Sequence, residues 1–386
     1  MKTLINYILF FLLVGLFFNS DFFERTFFLN ELFSFLGFLI IITKILKNNT
    51  LKIKLESFDF FIFLFLLICL FHLAISIPKK TNWYFYARNS VIFYSVFGYF
   101  FGKYYFLFFE RTINKLTNVF KLFIFYAIAI QKTILARYSG VLLFPALFKK
   151  INLKILLTLI ILILIHGLIH DALSIVVLAF LLFTFWIIPN FRTLKVVTFL
   201  FFIGIILFYS YFHDYILLYK DGGYAYFGSV LKVINSHPIL SLDHNTTWRV
   251  ILWYRFIVER FPENILGIGF GTPLLFYKPE IRTASMVIDE VHAHVSGAHN
   301  TFITLFVRLG IFGAYLLYRI CVKIFKGFYR LKQMNSNSPL LKYYFIWFSI
   351  FSLALFNLCL ESPLRAGIFW ICVGFISKLE SLNKLC

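Results

Sequence analysis

Long apolar runs separated by short polar, mostly basic, stretches make up nearly the whole of this chain. Twelve runs stand out, at 4–19, 28–46, 58–77, 90–106, 119–136, 139–149, 152–168, 170–189, 193–212, 299–322, 342–360 and 364–378. Most approach the roughly 20 residues that carry a helix across a bilayer, and the run at 139–149 is short. None shows the strict alternation of a membrane barrel strand. Backbone groups in hydrocarbon have to be satisfied within their own segment, so the runs are predicted to be helices. The expected fold is an all-α polytopic membrane protein with about 12 transmembrane helices and one large extramembrane loop. On this reading residues 1–212 hold nine spans. Residues 213–298 form the loop, and 299–386 hold three more spans with a short tail.

The basic residues set the orientation. Lys44, Lys47, Lys52 and Lys54 follow the second run, Lys103, Arg111 and Lys115 the fourth, and Lys149, Lys150 and Lys154 the sixth. Arg192 and Lys195 follow the eighth run, and Lys323, Lys326, Arg330 and Lys332 the tenth. If 139–149 crosses, all of these fall on one side, which the positive-inside rule makes the cytoplasm. Lys79, Lys80 and Arg88 break the pattern on the opposite side. The stretch from His213 to His299 then faces outward, and it holds six of the nine histidines and eight of the 17 acidic residues. A loop of this length in a compact protein is usually functional, so the chemistry is expected there.

Composition supports the lipid setting. The chain is 61% hydrophobic and 14% charged, with 55 phenylalanines and a mean hydropathy of +0.86. Soluble domains run at about 45–50% apolar and about 25% charged. The net charge of +20 would suit nucleic acid, but the lysines and arginines punctuate the apolar runs. The charge is a topology signal first, and no nucleic-acid partner is expected. Cys69, Cys321, Cys359, Cys372 and Cys386 lie in or beside apolar segments without a CxxC pair, which argues against a disulfide framework or a thiolate metal site. Residues 1–18 look like a signal peptide but lack a small-residue cleavage site, and they are read as the first retained helix.

Four stretches concentrate candidate chemistry. In "TTWRVILWYRFIVERFPENILGIGFG", residues 246–271, Arg249, Trp253, Phe256 and Arg260 recur at helical spacing, which predicts an amphipathic helix lying at the membrane surface and ended by Pro262. Gly267, Gly269 and Gly271 then permit tight turns and close backbone approach to a ligand. A dinucleotide reading of GxGxG needs a strand before it, and a helix precedes it here. Arg249 reads equally as an interfacial anchor. In "HAHVSGAHN", residues 292–300, His292, His294 and His299 lack tight ligand spacing for a metal. His299 and Asn300 open a span, where a histidine is tuned toward general base work or the pair simply caps the helix. "HGLIHDALS" places His170 and Asp171 at the mouth of a span, a functional position by default or a plain pair holding a helix end. "ARYSGVLLFPALF" leads with Arg137, Ser139 and Gly140 into a short Pro-marked run of the kind that lines cavities. Arg137, His170, Arg249 and His299 together, two guanidinium groups and a base beside an apolar groove, would suit a pyrophosphate leaving group.

The order of these pieces resembles the O-antigen ligase/Wzy-C family. That family's HNxxLxxLxExGxxG pattern looks like "HNTFITLFVRLGIFG", residues 299–313, in register at His299, Asn300, Gly310 and Gly313. Its RxxxW…PxxGxGxG pattern resembles Arg249, Trp253, Pro262, Gly267, Gly269 and Gly271, and its RxSG segment resembles Arg137, Ser139 and Gly140. The resemblance implies a multi-pass protein of the bacterial inner membrane with its loop and active site in the periplasm. It implies a glycosyltransferase that needs no cofactor, neither metal nor nucleotide. Its donor would be an undecaprenyl-pyrophosphate-linked glycan and its acceptor lipid A-core, in lipopolysaccharide biosynthesis. His299 would deprotonate the acceptor hydroxyl and Arg249 would hold the departing pyrophosphate. His170, Arg137, Asn300, Trp253, Gly269 and His294 would contact substrate. An O-antigen polymerase, a protein O-oligosaccharyltransferase and a lipid-linked glycan transporter are the alternatives. Two positions depart from the pattern: Arg308 stands where the family has glutamate, and His170 where it has an arginine that opens a span.

Overall fold

The computed structural model describes residues 28–47, 57–78, 83–107, 153–169, 173–222, 261–276, 294–295, 298, 300–336, 338–356 and 359–383, with a few isolated positions that include 253 and 256. The described chain is helical apart from one antiparallel pair of two-residue strands, so this is an all-α membrane protein in architecture. Its main helices are α1 (Leu29–Lys47), α2 (Ser57–Ser76), α3 (Trp83–Asn89), α4 (Val91–Tyr94), α5 (Leu153–Ile169), α6 (Leu173–Ile187) and α7 (Phe191–Gly222). After these come α8 (Glu263–Leu266), α9 (Thr301–Met334), α10 (Leu341–Phe356) and α11 (Pro363–Asn383). A 3-10 turn at Ser95–Phe97 carries α4 into helical residues 98–107. Among the described residues, three helices are long and apolar enough to cross a membrane: 29–46, 58–76 and 301–334. Their exposed faces carry side chains such as Phe38, Leu67, Phe71, Ile311 and Phe312, an apolar surface that only lipid solvates well.

The chain divides into two compact units. The first takes in described residues up to Leu70, from Ser90 to Pro189 and from Tyr315 onward. In it α5 packs on α6, α6 on α10, α10 on α11, and α11 on α1 and the 3-10 turn. Backbones approach closely where glycines remove the side chain. A Cβ at Gly102 would strike the carbonyl of Ile371, one at Gly374 that of Tyr99, and one at Gly37 that of Phe97. Small residues at helix contacts are the usual way to pack helices where lipid removes the hydrophobic drive between them.

Phenylalanine fills the rest of this unit's interior. Phe348 stacks on Phe325 at 5.1 Å between centroids, and Phe328 and Phe185 meet Phe348 at 4.9 and 4.7 Å. The abundance of phenylalanine is therefore internal as well as lipid-facing. Lys103, counted with the cytoplasmic loop although the run 90–106 contains it, lies within helix 98–107 and is buried against Asp59 of α2. Its Nζ donates to both carboxylate oxygens at 2.8 Å. Tyr99 donates its hydroxyl to the same Asp59 at 2.8 Å and meets the Ser377 hydroxyl at 2.8 Å. Lys332, also expected in a loop, is helical, and its Nζ donates to the carbonyls of Trp186 and Ile188 just past α6. Carbonyls at a helix C-terminus carry partial negative charge, which a lysine there complements.

The second unit takes in Phe71–Asn89 and the described residues of Asn190–Ala314. Asn190 caps α7 by accepting from the Thr193 amide at 2.9 Å, directly after Pro189. This helix runs to Gly222, beyond the expected end at 212 and into the segment read as loop. At 32 residues it is about 48 Å long, more than a hydrocarbon core needs. α9 likewise runs to Met334 rather than 322. In both cases the helix outlasts the apolar run, because a helix need not stop where its hydrophobicity does. The segment 83–89, expected in an outer loop, is the short helix α3. Strands β1 (Leu275–Phe276) and β2 (His294–Val295) pair with Phe276 opposite His294, a contact that the apolar periodicity does not signal. Phe256, Leu274, Ala298 and Val307 form this unit's buried core, with Trp253, Ile268, Ile303 and Phe306 against it.

Candidate functional site

The site is built on a break in α9. Its first half runs from Thr301 to Leu309, and Gly310 then adopts φ 69° and ψ −170°, a conformation essentially closed to residues with a Cβ. Breaking a helix strands carbonyls that would otherwise accept from amides four residues on. The glycine-rich segment after α8 supplies the replacement donors. The Ile268 amide donates to the Val307 carbonyl and the Gly269 amide to the Arg308 carbonyl, both at 2.9 Å. Such an approach is possible because Gly267, at φ 93°, has no side chain. A Cβ there would lie 2.6 Å from the Arg308 carbonyl oxygen and 2.6 Å from the Gly310 nitrogen. Gly310 is confined reciprocally, since its Cβ would lie 2.5 Å from the Ile265 carbonyl oxygen.

Arg308 closes the joint from the side. It is fully buried (0%), and its Nη1 donates to the carbonyls of Gly269 at 3.0 Å and Thr272 at 3.2 Å. Gly269 thus gives its amide to the backbone of Arg308 and takes the guanidinium of the same residue on its carbonyl. The far side of the loop is held by Ser76 and Asn89. Ser76 Oγ accepts from the Phe270 amide at 2.8 Å, and Asn89 Nδ2 donates to the Phe270 carbonyl at 2.9 Å. Ser76 is free to do so because its own proton goes to the His72 carbonyl. A Cβ on Gly269 would occupy the place of the Ser76 hydroxyl.

The head of α9 is fixed independently. Asn300 is its N-cap: Oδ1 accepts from the amides of Phe302 at 3.0 Å and Ile303 at 3.1 Å. Ala298 gives its amide to Thr304 Oγ1 at 3.1 Å, and its carbonyl accepts from Trp253 Nε1 at 2.6 Å. The two sequence neighbours of His299 are therefore both anchored, one by the tryptophan of the R…W segment. A turn falls at Phe261–Pro262, where proline was expected to end the preceding helix.

The structure thus brings Trp253, Gly269 and Asn300 into one unit with Gly267 and Gly310. His294 belongs to strand β2 of that unit. Arg137, His170, Arg249 and His299 lie outside the described residues. Asn300, expected to contact substrate, spends its side-chain oxygen on the helix start. Arg308, noted only as a departure from a pattern, is the side chain that ties the glycine segment to the broken helix. His72 is not among the residues that the sequence pattern singles out. It lies in α2 one turn before Ser76, is 3% exposed, and has its ring within reach of the Leu309 backbone, next to the break. Its Nδ1 has no hydrogen-bond partner among the described residues. The signal was available, because an ionisable residue within a span is a functional candidate wherever it occurs. Comparison with protein-family models, with curated proteins and with solved structures finds no match to this chain.

Proposed function

We propose that this protein is a membrane glycosyltransferase of the O-antigen ligase type. It transfers a preassembled glycan from undecaprenyl pyrophosphate to lipid A-core, in the bacterial inner membrane and on the periplasmic side. The observation that carries this reading is the joint at Gly310. Two separate stretches resemble the family, one at 249–271 and one at 299–313, and they are hydrogen-bonded together through Ile268, Gly269, Val307 and Arg308. This contact sets Gly267 and Gly269 of the first stretch against the backbone at Gly310 and Arg308 of the second. The reading includes about twelve spans, most of them near the length that a bilayer needs, and a periplasmic loop from 213 to 298.

In the proposed reaction His299 takes the proton from the acceptor hydroxyl, whose oxygen attacks the anomeric carbon of the donor. The sugar–pyrophosphate bond breaks, and undecaprenyl pyrophosphate leaves against the Arg249 guanidinium, a planar fork matched to phosphate oxygens. The anchored Ala298 and Asn300 hold the backbone on either side of the base, and Trp253 couples that backbone to the segment bearing Arg249. Positioning of this kind is a large part of what an enzyme contributes to group transfer.

The test is complementation of a strain lacking its O-antigen ligase, with lipopolysaccharide resolved on a gel. Wild type is expected to restore the glycan-capped ladder. His299→Ala and Arg249→Ala are expected to abolish it while reaching the membrane at wild-type level. A bare core with lengthened lipid-linked chains would show a polymerase instead.

A further inference from the structure

Four oxygen-bearing side chains lie on α1 and the 3-10 turn Ser95–Phe97, which pack on each other and on α11 in the first unit. On α1, Ser34 lies four residues after Asn30 and three after Glu31, so it neighbours each of them on the helix surface. Tyr94, the residue before Ser95, donates its hydroxyl to Glu31 Oε1 at 2.6 Å and ties the turn to that surface. From α11, Gly367 comes so close to Asn30 Oδ1 that a Cβ would collide with it. Asn30 and Ser95 are fully buried (0%) and Ser34 is 3% exposed.

The polar atoms gathered there are unsatisfied. Among the described residues, both polar atoms of Asn30, the hydroxyls of Ser34 and Ser95, and the buried Oε2 of Glu31 have no hydrogen-bond partner. Nor does any described lysine or arginine form an ion pair with Glu31. Other hydroxyls in this protein avoid the problem by donating one turn back, as Thr184 does to Phe180 at 2.8 Å and Ser349 to Phe345 at 3.0 Å. Ser34 and Ser95 do not.

Unpaired buried polar atoms carry a free-energy cost, and a carboxylate without a counter-charge carries a larger one. Water would satisfy the hydroxyls and the carboxamide but would leave the charge of Glu31 uncompensated. A divalent ion prefers several carboxylates and would leave surplus positive charge beside a single one. Softer metals need imidazole or thiolate, and the cluster has neither. A small monovalent metal ion balances one carboxylate and takes neutral oxygens as its other ligands, which leaves only the Asn30 Nδ2 donor to water.

We propose that the Asn30–Glu31–Ser34–Ser95 cluster binds a monovalent metal cation of the sodium class. Its ligands are Glu31 Oε2, Asn30 Oδ1 and the hydroxyl oxygens of Ser34 and Ser95. The ion joins α1 to the 3-10 turn, two elements that pack on each other and on α11. Loading of the site therefore stabilises the bundle, because anything that binds the folded state alone shifts the unfolding equilibrium.

The experiment is thermal unfolding of the full-length protein in detergent at constant ionic strength, with sodium exchanged for choline. Wild type is expected to show a Tm that rises with sodium and saturates. Glu31→Gln is expected to remove that dependence, and the milder Ser95→Ala to move its midpoint to higher sodium. Direct uptake of radioactive sodium by the purified protein should follow the same order. Equal Tm values in sodium, potassium and choline for wild type would overturn the proposal. So would a sodium response unchanged in both variants.

Discussion

Lys103 in the first unit and Arg308 in the second are both charged groups on apolar helices, 5% and 0% exposed, yet they face different partners. Lys103 meets the carboxylate of Asp59 at 2.8 Å to both oxygens, a full charge against a full charge. Arg308 gives its Nη1 to the carbonyl dipoles of Gly269 and Thr272. The first arrangement cancels charge and ties α2 to helix 98–107, with Tyr99 and Ser377 completing it. The second fixes the path of an irregular loop, because a planar guanidinium donates along fixed directions and lysine cannot reproduce that fork. One buried cation therefore serves packing and the other serves shape. Substitution should separate the two roles.

The largest effect is expected at Asp59. Asp59→Leu leaves Lys103 buried without its carboxylate, which costs about 3–5 kcal/mol. Denaturant unfolding in detergent should show this loss, and the double variant Asp59→Leu/Lys103→Met should recover most of it. If single and double variants unfold alike, the pair does not act as one.

Next comes Arg308, where shape should matter more than stability. Arg308→Lys is expected to cost about 1.5–3 kcal/mol, the value of hydrogen bonds from a charged donor, and to lower glycan transfer with the protein still in the membrane. Arg308→Glu tests the joint more sharply. Glutamate is what the resembled family carries here, yet in this chain its carboxylate would face the Gly269 and Thr272 carbonyls. It is therefore expected to transfer less than the lysine variant. Better transfer by the glutamate variant would mean that the loop does not need the guanidinium.

Gly310→Ala follows, with about 1–3 kcal/mol for a residue forced into a glycine-only region. A straightened α9 would also withdraw the Val307 and Arg308 carbonyls from Ile268 and Gly269. Amide hydrogen exchange at 268 and 269 should rise in this variant and stay unchanged in Asp59→Leu, which lies in the other unit.

The sequence is legible where one physical rule acts alone. Apolar runs at 28–46, 58–77, 152–168 and 364–378 became helices 29–47, 57–76, 153–169 and 363–383, because in lipid the length of the run and the need to close every backbone hydrogen bond decide the matter. Where a partner distant in sequence decides, the pattern is silent. Gly310 reads as one more glycine until the 267–269 segment is brought against it. Lys103 reads only as a charge near the end of the run 90–106, because hydropathy assigns a cost to that charge without knowing of Asp59, 44 residues earlier. Arg308 looked like a defect in a borrowed pattern, and its purpose appears only with the carbonyls it grips. His72 is legible by the same rule that draws attention to His170, since both lie in or beside apolar runs of the sequence.

The smallest effect belongs to Asn300, and it separates capping from substrate contact. Its Oδ1 accepts from the Phe302 and Ile303 amides, a task that serine or aspartate also performs at a helix start. Asn300→Ala is expected to cost about 0.5–2 kcal/mol, and Asn300→Ser only a few tenths. If the cap is what the side chain contributes, the serine variant keeps both stability and glycan transfer in the complementation assay, because the backbone beside His299 stays anchored. A serine variant that unfolds like wild type but transfers nothing would assign the carboxamide to the substrate instead. The alanine variant cannot decide this, since loosening the head of α9 lowers transfer on either account.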